Sequence, residues 1–281
     1  MRLVLLTATA MLAFAANSVL ARLALTAPGG DPLVFTGIRI ASGALTLGLL
    51  LGLRAGPAAF RPLPGTWRAA AALFGYALLF SLAYTLLGAG NGALILFASV
   101  QIGIFAWAIF KGDRPTPLEW IGLAVALGGL VYLVLPGLVA PDLLGSLMMV
   151  GAGLCWAAYT LLGRGSKTPL IDTAGNFLRG LPLAILIAVL GALATGLAAM
   201  PVLYAIASGA IASGLGYAIW YVVLPLLSRA RAGIVQLTVP IIAAIGGVLF
   251  LAEPFTPRLA WASAAILGGV LVALIAGSRR R

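Results

Sequence analysis

The sequence predicts an all-α integral membrane protein: ten transmembrane helices in two inverted five-helix repeats, with both termini cytoplasmic. Three observations carry this expectation: the hydropathy, the placement of the basic residues, and a set of residues that recurs at a fixed offset. Hydrophobic residues make up 63% of the 281-residue chain, beyond the ~45–50% of soluble domains. Mean hydropathy is +1.16 and only 8% of residues are charged. A bilayer-crossing helix needs about 20 predominantly apolar residues. Ten such segments follow one another, near 3–25, 32–53, 66–87, 91–110, 117–135, 142–163, 173–196, 201–224, 231–251 and 257–277. Backbone groups in lipid must be satisfied within their own segment, so these runs read as helices. Their unbroken apolar character excludes a transmembrane barrel, whose strands alternate.

The first run starts behind Arg2 and is too long for the apolar region of a signal peptide, so it reads as the first span. Between the third and fourth spans lies "LLGAGNGAL", where Asn91 is placed to cap the fourth. The fourth ends at "FKGDRPTP" (110–117), whose Pro115 and Pro117 stop one helix and begin the next. "LPLLSRARAG" divides the eighth span from the ninth, and "FLAEPFTP" (250–257) divides the ninth from the tenth.

With the N-terminus inside, the cytoplasmic flanks hold Arg2, Arg54, Arg61, Arg68, Lys111, Arg114, Arg164, Lys167, Arg229, Arg231 and Arg279 to Arg281. The external flanks hold only Arg22 and Arg258, while Arg39 and Arg179 lie within spans. This asymmetry is the positive-inside pattern. The net charge of +11 is therefore a topology signal and not a nucleic-acid footprint.

Residues i and i+140 match at telling positions: Phe110 with Phe250, Asp113 with Glu253, Thr116 with Thr256 and Pro117 with Pro257. Arg39 meets Arg179, Thr36 meets Asn176, and "LGG" at 127–129 meets "LGG" at 267–269. With a two-residue adjustment, "FAANSVLAR" (14–22) meets "WAAYTLLGR" (156–164). The units are 1–140 and 141–281. Each holds an odd number of spans, so the second enters the membrane from the opposite face, as in secondary transporters.

These residues resemble the EamA family of the drug/metabolite transporter superfamily, in which an acidic-Pro turn ("GDRPTP", "AEPFTP") links the last two helices of each half. The aromatic-lined spans look most like the aromatic amino-acid exporter (YddG-type) branch. The resemblance covers essentially the whole chain and implies a bacterial inner-membrane, multi-pass transporter, not an enzyme. It also implies that Arg39 and Arg179 match the family's second-helix arginines, and that Pro240 matches the proline of the ninth helix. Val100 stands at the counterpart of Pro240 in the fourth.

Candidate site residues follow from polarity at membrane depth. Phe14 and Asn17 lie mid-span in the first helix, beside Ser18. Tyr76, Phe80 and Tyr84 form one stripe on the third, and Tyr84, near a helix end, reads equally as an interfacial aromatic. Gln101 is central in the fourth, Trp156 and Tyr159 lie in the sixth, Tyr217, Trp220 and Tyr221 in the eighth, and Gln236 and Thr238 before Pro240. Interhelical hydrogen bonding competes with cavity lining as the reason for each polar group. Arg39, Arg179 and Pro240 are gating candidates, although arginines two turns into a helix can also snorkel to the interface. The pairs Ala124/Gly128, Ala243/Gly247 and Ala264/Gly268 read as close-packing seams. The fifth and tenth helices are assigned to the periphery or a dimer contact.

Such a neutral, aromatic cavity suits an amphipathic cargo, best amino acids including aromatic ones, exported by alternating access. A sugar, nucleotide or drug-like cation is the alternative cargo. A membrane transferase would need clustered acids for Mg²⁺ and diphosphate, whereas the six acids here are scattered. With no histidine and one cysteine, Cys155, neither a His-based metal site nor an intrachain disulfide is available. No cofactor or metal is expected. The expected partners are a small-molecule substrate and the lipid bilayer, with the protein a monomer or homodimer.

Overall fold

The computed structural model describes residues 1–56, 63–112, 116–134, 140–163, 166–223, 226, 235–236 and 238–278. The helices are α1 (Arg2–Thr26), α2 (Pro32–Ala55), α3 (Trp67–Tyr84), α4 (Ala89–Phe110), α5 (Pro117–Val134), α6 (Leu143–Leu162) and α7 (Pro169–Thr195). Next comes α8 in three consecutive pieces, Ala199–Ala207, a π-helical Ser208–Leu215 and Gly216–Val223, and then α9 (Thr238–Leu251) and α10 (Pro257–Ser278). Among the described residues seven helices are long and apolar enough to cross a membrane, and three shorter apolar helices accompany them.

Local chemistry sets the helix starts. The Asp31 carboxylate accepts from the backbone N–H groups of Leu33 and Val34 at 2.9 and 2.8 Å, and Pro32 occupies the first turn, where its missing N–H costs nothing. Asp142 caps α6 by accepting from Gly145 N–H at 2.7 Å. Thr116 and Glu119 exchange the two bonds of a capping box at the head of α5. Thr256 accepts from Leu259 N–H at the head of α10. Thr116 and Thr256 thus do the same work at the matched offset. The preceding turns match too: Gly112 has φ 94° and Ala252 φ 51°. An alanine in the left-handed region costs roughly 1–2 kcal/mol, so surrounding contacts hold that turn.

Asn91 does not cap α4. The helix starts at Ala89, with Gly88 as its cap residue. The Asn91 side-chain oxygen is buried there without a hydrogen-bond partner among the described residues. Its expected role passes to Glu253, whose Oε2 accepts from Ala89 N–H at 2.7 Å.

Packing follows pairs of helices. α2 lies along α7, α5 along α10, α3 and α4 against α6, and α1 against α8 and α9, while α2 also meets α8 and α3 meets α7. The core is rich in alanine and aromatics, with Ala10, Ala21, Ala83, Tyr84, Phe80 and Ala184 all fully buried. Outward faces carry Leu45, Leu49, Leu147, Leu193 and Trp261, which suits a surface whose solvent is lipid.

The α5–α10 seam runs through a different face from the one expected. A Cβ on Gly122 would lie 2.5 Å from the Gly269 carbonyl oxygen, and one on Gly269 equally close to the Gly122 carbonyl. Gly128 and Gly268 meet nothing, and Ala124 and Ala264 are exposed. Four-residue spacing identified a stripe of small residues, but the face turned to the neighbour is offset from it. Ala243/Gly247 does pack: Ala243 is fully buried, and Gly247 lies against Glu253 and Ala89.

Candidate functional site

Five helices bring a continuous chain of aromatic rings together at the centre of the bundle. Phe80 and Tyr76 on α3 have centroids 5.4 Å apart, and Tyr76 meets Trp156 of α6 at 4.8 Å. Trp156 meets Tyr217 of α8 at 5.4 Å, and Tyr217 meets Phe14 of α1 edge-on at 5.7 Å. Tyr159 joins through Trp156, Phe177 of α7 through Tyr217, and Trp220 through Phe14. Edge and tilted arrangements of this kind match the ring quadrupoles. Phe14, Tyr76, Phe80, Tyr159 and Tyr217 are buried, whereas Trp156 keeps partial exposure.

A polar thread runs beside the rings. Asn17 Oδ1 accepts from the hydroxyls of Ser208 and Ser213, at 2.8 and 3.3 Å. The Ser213 oxygen accepts from Arg39 Nε at 3.3 Å, and Arg39 Nη2 donates to the Tyr76 hydroxyl at 3.0 Å. The Arg39 guanidinium also sits 4.8 Å from the Phe80 centroid and 5.2 Å from that of Tyr76. The π-helical piece explains how two serines five apart serve one asparagine. Residues five apart stand about 140° apart on an α-helix, whereas the i→i+5 π-turn brings them back to one face.

Arg39 therefore does not snorkel. It is 2% exposed and turned into the bundle. Arg179, its partner at the matched offset, behaves differently: its guanidinium donates to the backbone carbonyls of Pro64 and Leu63 and lies 5.7 Å from the Trp67 ring. It ties α7 to the segment entering α3, where Asn176 Oδ1 also accepts from Thr66 N–H. Pro240 is buried near the start of α9, while α7 carries Pro182 within it. Gln101 and Gln236 are half-buried on α4 and just ahead of α9. The side chain of Tyr221, like Asp113 and Arg114, lies outside the described residues.

The reading of Tyr84 changes, and Glu253 gains a role. Tyr84 is not an interfacial aromatic: it is fully buried, packs edge-on to Phe80 at 4.6 Å, and donates to the Ala89 carbonyl at 3.3 Å. Glu253 is tied across the fold, with Arg22 Nε 3.0 Å from its Oε1. Arg22 Nη1 reaches on to the Tyr84 carbonyl at 2.9 Å. This cluster joins the ends of α1 and α3, the start of α4 and the turn after α9. Sequence reasoning gives Arg22 a topological role only, and it gives none to Ser208, Ser213, Thr173 (hydrogen-bonded to Tyr159 at 3.2 Å) or Phe177. The one signal available was that Arg22 aligns with Arg164 and Glu253 with Asp113, a basic and an acidic residue repeated in both halves.

The sequence profile of the EamA-like transporter family matches residues 1–135 and again 143–275. The chain belongs to that family. It is a multi-pass membrane protein of a transporter family, within the drug/metabolite transporter superfamily. A Pseudomonas aeruginosa relative, "Uncharacterized protein PA1977", is 50% identical over 97% of this chain and 94% of its own. The threonine/homoserine exporter RhtA of Escherichia coli K12 is 31% identical over 55% of this chain and 53% of its own. Its counterpart in Salmonella typhimurium LT2 is 30% identical over the same shares. The chain thus spans about half the length of those two exporters. A solved crystal structure with 21% identity covers 100% of this chain and 99% of its own at a TM-score of 0.67; that likeness concerns the fold alone.

Proposed function

We propose that this chain is an inner-membrane exporter of small amphipathic metabolites, chiefly amino acids including aromatic ones, working by alternating access. The observation that carries the reading is the buried ring of neutral aromatics and hydroxyls drawn from α1, α3, α6, α7 and α8. Such a lining holds an apolar body by stacking and polar ends by a few hydrogen bonds. The RhtA relatives, named as exporters of threonine and homoserine, support amino acids as the class. The aromatic preference rests on the rings.

Ten spans, with 1–140 and 141–281 as inverted repeats and both termini cytoplasmic, complete the proposal. Two things support the repeat. The family profile matches each half, and the packing pairs exchange when each helix is replaced by the one five later. α2–α7 and α5–α10 map onto themselves, α3–α6 onto α8–α1, α4–α6 onto α9–α1, and α3–α7 onto α8–α2. In that orientation Arg22–Glu253 latches the external side and Arg179 braces the cytoplasmic side.

The test is counterflow. Purified protein in liposomes preloaded with unlabelled amino acid is expected to accumulate labelled phenylalanine or threonine, with saturation. Exchange of sugars or nucleotides in place of amino acids would overturn the cargo assignment. Flux without counterflow would make the protein a pore.

A further inference from the structure

The five acids among the described residues are all committed to helix ends. Asp31 and Asp142 cap α2 and α6, Glu119 closes the capping box of α5, Asp172 holds Ser166 and Gly65 N–H, and Glu253 holds Arg22 and Ala89 N–H. The sixth, Asp113, lies outside the described residues. Arg39 is a buried cation, 2% exposed, whose partners among the described residues are neutral: the hydroxyls of Tyr76, Ser213 and Tyr217 and two ring faces. Its Nη1 has no hydrogen-bond partner at all among them. A charge at membrane depth costs at least ~2.5–3.5 kcal/mol on insertion scales, and an unpaired N–H of a charged group adds to that.

We infer that Arg39 is the anion-binding group of the central site, and that its unpartnered Nη1 receives the carboxylate of the transported molecule. The guanidinium fork matches a planar carboxylate. The rings of Tyr76 and Phe80 lie 5.2 and 4.8 Å from the guanidinium, so a carboxylate would meet it at its edge when alternating access opens the buried site. Ser213 and Tyr76 fix the orientation of that edge, which favours a flat acid over a tetrahedral phosphate. The adjoining Trp156, the partly exposed member of the ring chain, is placed to receive the apolar body. With no acid in the cluster among the described residues, the site selects for a carboxylate and against cationic cargo.

This inference rests on the transport reading above, and its test separates the two. Competition against labelled phenylalanine counterflow is measured with the free acid, its methyl ester, the decarboxylated amine, the deaminated acid and inorganic phosphate. Both acids are expected to compete at least tenfold better than ester, amine or phosphate. Arg39→Gln is expected to erase that preference and Arg39→Lys to restore part of it. A purely structural arginine would instead lower flux without changing the ranking. Ester or phosphate competing as well as the free acid in the wild type overturns the inference, even if neither variant folds. So does a ranking that survives in Arg39→Gln. If no amino acid exchanges at all, the same panel is read as ligand-induced thermal stabilisation of the detergent-purified protein. Stabilisation by the deaminated acid, lost in Arg39→Gln, then upholds the carboxylate site while the amino-acid reading falls. Stabilisation by none of the acids removes both.

Discussion

Arg39 and Arg179 occupy matched sequence positions, yet only one faces the ring cluster. Arg39 is buried among hydroxyls and rings, whereas Arg179 is held by the carbonyls of Leu63 and Pro64. What each arginine does depends on its neighbours in space, which an offset along the chain does not contain. Trp156 is the residue-scale counterpart on the apolar side, bridging Tyr76, Tyr159 and Tyr217. Aromatic pairs contribute about 0.5–1.5 kcal/mol beyond area burial. Trp156→Ala is therefore expected to raise the KM of counterflow about tenfold while Trp156→Phe keeps most of it; unchanged kinetics in both would remove Trp156 from the site. Gln101, half-buried on α4, is expected to weaken transport on Gln101→Ala by a smaller factor in the same assay. At the end of α1, Glu253→Gln removes one charge from the Arg22 pair. Hydrogen bonds to charged groups contribute about 1.5–3 kcal/mol, enough to open the latch about tenfold more often. In a Cys155→Ser background, a cysteine at the buried Ser18 is expected to react about tenfold faster with an impermeant thiol reagent once Glu253→Gln is added. An unchanged rate would mean that the pair is only a cap.

Elements set what the residues can reach. The π-helical piece of α8 turns Ser208 and Ser213 to one face, and its Gly209 lies hard against the Ser42 hydroxyl and the Arg39 carbonyl of α2. Overpacking of this kind costs about 1–3 kcal/mol. Gly209→Ala is expected to lower the Tm of the detergent-purified protein and to disturb transport together, since α2 carries Arg39. The α5–α10 seam offers an internal contrast: Gly122→Ala presses on the Gly269 carbonyl and is expected to be destabilising by a similar amount, whereas Gly128→Ala meets nothing and is expected to be neutral. Equal effects at both glycines would reject the seam as described. The four-residue spacing found these stripes because helical period is a property of the chain. It missed the contact face because rotation of a helix about its axis is settled by the helix beside it.

At the scale of the whole molecule, the exchange of packing pairs between helices five apart fits a machine that opens one side as it closes the other. Reporter fusions at the N- and C-termini are expected to behave as cytoplasmic, because basic flanks such as those beside both termini favour that side. A periplasmic reading at either end would break the inverted-repeat assignment.

Hydropathy, the sign asymmetry of the flanks and the proline-bracketed turns determined the membrane, the helical fold class and the family without any coordinates. Each depends on the order of residues along the chain alone, which a bilayer about 30 Å thick and its positive-inside bias convert directly into structure. Much of the central cluster was legible because Asn17, Tyr76, Trp156, Tyr159 and Tyr217 carry polar groups at membrane depth wherever they point, and Phe14 and Phe80 lie within four residues of Asn17 and Tyr76 on their helices. Tertiary structure alone decided that Tyr84 is core, that Glu253 caps α4 from 164 residues away, and that Arg39 has hydroxyls but, among the described residues, no acid around it. Those facts are relations between helices, fixed by how ridges and close-approach glycines let each helix rotate against its neighbours.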